Sequence, residues 1–109
     1  ALPDLLFVFD ADGHYLDIHA RDPRKLVQPH PATLSRSIDE ILPPEVAQRT
    51  RAALNRVFGG SLIERFDYEI ELDGQRLSFA AELVPLDAGR ILAICRDITD
   101  RCRAEQALA

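Results

Sequence analysis

The stretch Arg90-Ile91-Leu92-Ala93-Ile94-Cys95-Arg96-Asp97-Ile98-Thr99-Asp100-Arg101-Cys102-Arg103-Ala104-Glu105 decides how this 109-residue chain folds. Its first half is a short apolar run centred on Ile91 to Ile94 and bounded upstream by the turn signal Asp87-Ala88-Gly89. A run of that length with a turn before it reads as a strand. Its second half is polar and helix-forming. Thr99 can cap a helix start, and Asp100 in the first turn suits the helix dipole. A strand over 90–97 therefore hands the chain to a helix from residue 99 with almost no loop between.

Working upstream, the pattern is more strand. Phe66, Tyr68, Ile70 and Leu72 alternate with Arg65, Asp67, Glu69 and Glu71, so Ile63 to Leu72 reads as half-buried β. Asp73-Gly74 is a hairpin turn. Gln75 to Leu86 continues with Leu77, Phe79, Ala81 and Leu83 on the inner face, and Pro85 marks an edge or the strand's end. Before these strands, Val46, Thr50, Ala53, Leu54, Val57 and Phe58 repeat at helical spacing. That predicts a helix with Pro44 in its first turn and Gly59-Gly60 as its stop. Ser37-Ile38-Asp39-Glu40 reads as a capping box for a short helix that Pro43 ends, the Ser37 hydroxyl accepting from the amide three residues on.

The segment 21–36 is punctuated by Pro23, Pro29 and Pro31 and is expected to hold short helical turns and loops. At the start, Leu5-Leu6-Phe7-Val8-Phe9 is a strand apolar on both faces. The turn Asp10-Ala11-Asp12-Gly13 connects it to a second strand. There Leu16, Ile18 and Ala20 are expected on one face, with Tyr15, Asp17 and His19 on the other. A single antiparallel sheet of five strands with helices on one face, an α+β domain, accounts for this order.

The bulk properties narrow the function. The net charge of −5 argues against a phosphate-tracking nucleic-acid binder and against direct contact with an anionic membrane surface. With 47% hydrophobic and 28% charged residues the balance is that of an ordinary globular domain. No apolar run approaches a membrane span and no signal peptide is recognisable, so a cytoplasmic location is expected. Cys95 and Cys102 form no Cys-x-x-Cys pair, so no metal site is assigned. No nucleophile elbow, triad context or phosphate loop is present, so no catalytic residue is assigned and the domain is not read as an enzyme.

Several motifs resemble the PAS sensory family. Phe7-Val8-Phe9-Asp10-Ala11-Asp12-Gly13 is similar to its opening hairpin. Arg36-Ser37-Ile38-Asp39-Glu40-Ile41-Leu42-Pro43 is similar to the short helix that usually follows a Gly-Arg pair, with Ser35 standing at the Gly position. Asp97-Ile98-Thr99-Asp100-Arg101 is similar to the Asp-Ile-Thr motif joining the last strand to a signalling helix, and is the most specific of the three. Arg103-Ala104-Glu105-Gln106-Ala107-Leu108 resembles the start of a coiled-coil linker.

The resemblance implies the PAS fold, a five-stranded antiparallel sheet in order 2-1-5-4-3 enclosing a pocket against its helices. It implies residues 1–98 as the sensory domain and 99–109 as the start of the signalling helix. It implies a signal, from a small molecule or an interface, passed to a C-terminal output domain in a bacterial multidomain protein. The output would be a histidine kinase or a cyclic-di-GMP synthase or hydrolase. The helix reaches Ala109 without a stop signal, as a connector would. The rival readings are a ligand-free dimerisation module that sets the register of its neighbours, and a small enzyme or metabolite-binding protein acting alone.

The candidate pocket residues are His19, Phe9, Phe66, Tyr68, Phe79 and Arg96, with Phe7 and Ser78 as further possibilities. The aromatic set can line a cavity or simply fill it. His19 falls where many family members carry an Asn closing the second strand. A ligand hydrogen bond, a pH-sensitive role and a plain local hydrogen bond to loop backbone are all open for it. No ligand or cofactor is named. Haem sensors of the family take an axial histidine from the longer helix, and residues 44–58 hold none. Covalent flavin photochemistry needs a cysteine on the short helix, and residues 37–42 hold none. Asp97, Thr99 and Arg101 are the candidates for signal transmission, with Thr99 capping the helix and Asp97 accepting from Arg101 or a partner chain's Arg. Leu6 and Val8 point away from Leu5, Phe7 and Phe9, and an apolar outer face favours a homodimer or a covering helix.

Overall fold

The computed structural model describes residues 3–27 and 30–108. Five strands, β1 (Leu5–Asp10), β2 (Tyr15–Ala20), β3 (Glu64–Leu72), β4 (Gln75–Asp87) and β5 (Arg90–Asp97), form one sheet in the order β2-β1-β5-β4-β3. Every neighbouring pair is antiparallel. Between β2 and β3 lie a 3-10 turn (Pro23–Lys25) and the helices α1 (His30–Thr33), α2 (Ile38–Ile41) and α3 (Pro44–Phe58); α4 (Thr99–Leu108) follows β5. This is the α+β architecture and strand order that the motifs implied. Of the expectations above, Pro29 and the chain end at Ala109 fall outside the described residues.

The core sits between one face of the sheet and the helices α2 and α3. Alternation along the central strands aims Leu5 and Phe9 of β1, Phe79, Ala81 and Leu83 of β4, and Ile91, Ala93 and Cys95 of β5 inward. Opposite them, α3 buries Val46, Ala47, Thr50, Ala53, Leu54 and Val57, and α2 buries Ile38 and Ile41. Phe79 has no exposed surface and stacks on Tyr68 at 5.4 Å between ring centroids. Truncating a ring so enclosed costs about 3–5 kcal/mol.

The turns follow their sequence. Asp73 and Gly74 both take positive φ, 50° and 78°, which a two-residue hairpin loop between Leu72 and Gln75 demands. In the β1–β2 turn the Asp10 carboxylate accepts from the amides of Asp12 and His14, both at 2.9 Å, and Gly13 takes φ 81°. Its buried Cα lies beneath the Arg51 guanidinium, which also donates to the Asp12 carbonyl and pairs with Asp39.

Four local expectations are corrected. Tyr15 is not opposite Ile18: both face the core, Tyr15 only 2% exposed, while Leu16 is 46% exposed. The cause is a bulge. Val8 pairs with Asp17 and Phe9 with Tyr15, so Leu16 is the extra residue and the alternation resets around it. Phe58 is exposed because α3 ends at Gly59 before another turn could cover it. Ser37 does not cap α2 through its hydroxyl; its carbonyl accepts from the Glu40 amide, and its hydroxyl donates to the Glu40 carboxylate. Ser37 is held instead in a bridge to His14. Pro85 marks an edge and not the strand's end: β4 continues to Asp87 with a register shift after Pro85. The β3 pairing has already stopped at Glu64 opposite Leu83, so Pro85 lies beyond the doubly paired part of the strand.

Candidate functional site

A cavity of about 40 Å³ lies between the sheet and a wall made by Lys25, Leu26, Val27, Thr33, Ile41 and Leu42. Leu5, Phe7, Phe9 and Tyr15 line it from β1 and β2, Phe66, Tyr68 and Ile70 from β3, and Ala93 and Cys95 from β5, with Lys25, Leu26 and Val27 closing one side. The aromatic rings pack on one another. Phe9 and Tyr15 stand 4.7 Å apart, Phe7 and Tyr15 meet edge-on at 5.4 Å, and Arg49 of α3 lies over the Phe66 ring. The thiol and the two phenols of the site are held neutral. Burial pushes the Cys95 thiol up to about 11, with a Tyr68 hydrogen bond pulling back. Burial raises both phenols, Tyr15 and Tyr68, further above their ordinary value, and the Cys95 sulfur adds to it.

At one end of this cavity a polar cluster ties the sheet to α4. The Asp97 carboxylate accepts from the Thr99 amide at 2.8 Å and from the Thr99 hydroxyl at 2.5 Å. The Thr99 hydroxyl oxygen in turn accepts from the Ser78 amide of β4 at 3.0 Å. The Ile98 amide donates to the Ser78 carbonyl at 2.8 Å. On the other side, Lys25 pairs with Asp97 at 3.0 Å and with Asp4 at 3.3 Å, and Asp4 accepts from the Asp97 amide at 2.7 Å. Arg21 completes the group on Asp4.

Burial alone would raise the two carboxylates. The Asp97 amide and Lys25 outweigh it at Asp4, and Thr99 and Lys25 outweigh it at Asp97, so both sit below the usual range. Lys25 is raised, since its two carboxylates overcome its desolvation.

The structure brings some predicted residues together and separates others. Phe9, Phe66 and Tyr68 line the cavity, as does Phe7. Phe79 does not reach it and packs behind Tyr68. His19 and Arg96 do not line it either, because both side chains project from the exposed side of their strands. Ser78 belongs to the junction instead. Asp97 and Thr99 meet, but in reversed roles: Asp97 caps the helix and Thr99 ties it to β4. Arg101 is not Asp97's partner; it is exposed and faces Glu105 one turn along α4. Leu6 and Val8 lie half-buried on the outer face of the sheet.

Sequence reasoning missed Lys25, Asp4 and Tyr15. Nothing local marks Lys25, whose partners lie 21 residues before and 72 residues after it. Tyr15 was hidden by the bulge. A further group, Asp10, Asp12 and His14, places three ligand-type atoms within 4.8 Å of one another at the first hairpin turn. Its Asp10 carboxylate is engaged by the Asp12 and His14 amides.

A sheet in this order, with a cavity between it and its helices and an Asp-Ile-Thr junction leading to a helix, is the arrangement the motifs implied, and a family model described as the PAS fold matches residues 1–103. The chain belongs to the PAS family. Solved PAS structures lie close to it. The PAS domain of BvgS from Bordetella pertussis matches with a TM-score of 0.72 at 22% identity, over 97% of this chain and 85% of that one. A domain of the sensory box sensor histidine kinase/response regulator from Geobacter sulfurreducens matches at 29% identity with a TM-score of 0.70, over 86% of this chain and 82% of that one. The PAS domain of the RpfR quorum-sensing receptor from Cronobacter turicensis, in complex with C12:0, matches with a TM-score of 0.76 at 11% identity, over 91% and 97%. No curated protein matches the chain. PAS domains of this fold thus occur in sensor histidine kinases and receptors, some of them with a bound small molecule. No helix among the described residues is long and apolar enough to cross a membrane.

Proposed function

We propose that this PAS domain is a regulatory module that converts a change in its cavity, or at its outer sheet face, into a change in the seating of α4, and so instructs a C-terminal output domain. The observation that carries the reading is the position of Lys25. Its side chain lines the cavity and its ammonium holds Asp97, the residue that caps α4. Anything that moves the segment carrying Lys25 changes the charge facing Asp97, and the helix gains a second pose. The Geobacter relative supports a histidine kinase as the output, with a cyclic-di-GMP enzyme as the alternative. We place the domain in the cytoplasm, working as a homodimer.

The competing reading is a dimerisation module without a ligand. The small size of the cavity and the apolar outer face favour it. Amide hydrogen exchange on the domain separates the two. In the sensory reading, Lys25→Met speeds exchange of the first α4 amides about tenfold, while β4 and β5 keep their protection. Unchanged exchange at Ile98 to Cys102 would leave Lys25 a surface ion pair and remove the basis of the sensory reading.

A further inference from the structure

The sheet ends on one side at an open strand. β3 is last in the order β2-β1-β5-β4-β3 and pairs only with β4. Leu72 and Gln75 flank the two-residue Asp73-Gly74 turn, so they exchange both ladder bonds, and every second residue back along β3 does the same with its partner in β4. The residues between them, Arg65, Asp67, Glu69 and Glu71, turn their N–H and C=O groups away from β4. None of those groups bonds to other backbone among the described residues.

Beside this edge lies a groove of about 340 Å³, far larger than the cavity inside the fold. Asp67 and Glu69 line it from β3, Glu45 and Arg49 from the start of α3, and Cys102 and Gln106 from α4. The three carboxylates are exposed and take part in none of the ion pairs among the described residues. Arg49, the only cation of the lining among the described residues, lies over the Phe66 ring.

An open edge accepts another strand, and the charges along it decide whose. A second copy is the wrong one. Pairing two β3 strands about their middle residue, Tyr68, sets Asp67 and Glu69 of one copy against Glu69 and Asp67 of the other. Like charges directly opposite one another destabilise a sheet. Arg65, the one basic residue along the edge, is already held by Glu82. A strand with lysine or arginine at every second position instead meets a carboxylate at Asp67 and again at Glu69.

We propose that the groove along β3 docks an extended basic segment of another protein, added to the sheet as a sixth strand with its Lys or Arg side chains against Asp67 and Glu69. Because α4 forms one wall of the groove, the docked segment lies against the exit helix. The proposal goes beyond the sensory reading and does not need it.

Three end-blocked pentapeptides test it on the ¹⁵N-labelled domain: Lys-Val-Lys-Val-Lys, Glu-Val-Glu-Val-Glu, and the basic peptide N-methylated along its backbone, which keeps the charge and removes the donors. The basic peptide shifts the Asp67 and Glu69 amides saturably and slows their hydrogen exchange roughly tenfold, because open-edge amides become ladder amides. The other two peptides do neither. Asp67→Asn combined with Glu69→Gln weakens the basic peptide about fivefold, the loss of two exposed ion pairs, and added salt weakens it on the unaltered domain. Equal binding of the acidic or the methylated peptide, an unweakened double variant, or no binding of the basic peptide overturns the proposal. Protection of the same amides that grows with domain concentration, with no peptide present, assigns the edge to a second copy and overturns it too. The Lys25→Met experiment reads different amides, at Ile98 to Cys102, so the sensory reading stands or falls separately.

Discussion

At the scale of single residues, the junction is built from short polar side chains whose removal has separable consequences. The Thr99 hydroxyl does two things at once, donating to Asp97 and accepting from the Ser78 amide. Thr99→Val keeps the shape and deletes both, leaving the buried Ser78 amide unpaired. It should lower stability by about 1–2 kcal/mol, read as a lower urea midpoint at unchanged m-value. The acid side of the pH profile tests the carboxylates. Asp4 and Asp97 both titrate below their unfolded values, so folding favours their charged forms. Their contribution is complete above the ordinary carboxylate value of ~3.9 and drains away as pH falls through the lower folded values. Wild-type stability should therefore drop across that window, and Asp97→Asn should show a shallower drop from a lower starting point. Parallel profiles for the two proteins would mean that Asp97 makes no net use of its charge.

At the scale of elements, the hairpin turns hold glycines at positive φ, and two of them separate backbone conformation from crowding. Gly13 and Gly74 have nearly the same positive φ, 81° and 78°. A Cβ on Gly13 would stand 3.1 Å from the Arg51 guanidinium, whereas one on Gly74 meets nothing within 4 Å. Gly74→Ala should cost about 1–2 kcal/mol from left-handed backbone alone. Gly13→Ala should cost more in chemical denaturation, because Arg51 must give up its place over the turn; equal costs would show that Arg51 moves freely. The same elements show what could be read in advance. The Asp73-Gly74 hairpin, the clean alternation of β3, the helical stripe of α3 and the strand-to-helix handover at Asp97 all depend on contacts close in sequence, and all four were legible. The facing of Tyr15 was not, because a bulge shifts alternation by one residue without any glycine or proline to announce it. The Lys25 link was illegible for a different reason. Its two carboxylates come from the first and last strands, and only the pairing of β1 with β5 puts Asp4 beside Asp97.

At the scale of the whole molecule, the sheet has two unlike faces. One is sealed by α2 and α3. The other has Leu6 and Val8 on β1 registered against Ile94 and Leu92 on β5, with Val84 of β4 opposite Leu92, forming a continuous aliphatic stripe. These side chains are only half-buried. An aliphatic stripe across three central strands is more than scattered surface apolarity, and a second copy stacking on it would remove it from water. Native mass spectrometry should accordingly find a dimer at micromolar concentration. Val8→Arg places a charge in the middle of the stripe while leaving the inward row of Leu5, Phe7 and Phe9 intact. It should shift the dimer midpoint at least tenfold with an unchanged far-ultraviolet circular dichroism spectrum. A monomeric wild-type domain at 100 μM would rule out a second copy on the stripe, and would leave the proposed route from the cavity through Lys25 and Asp97 to α4 as the one to test.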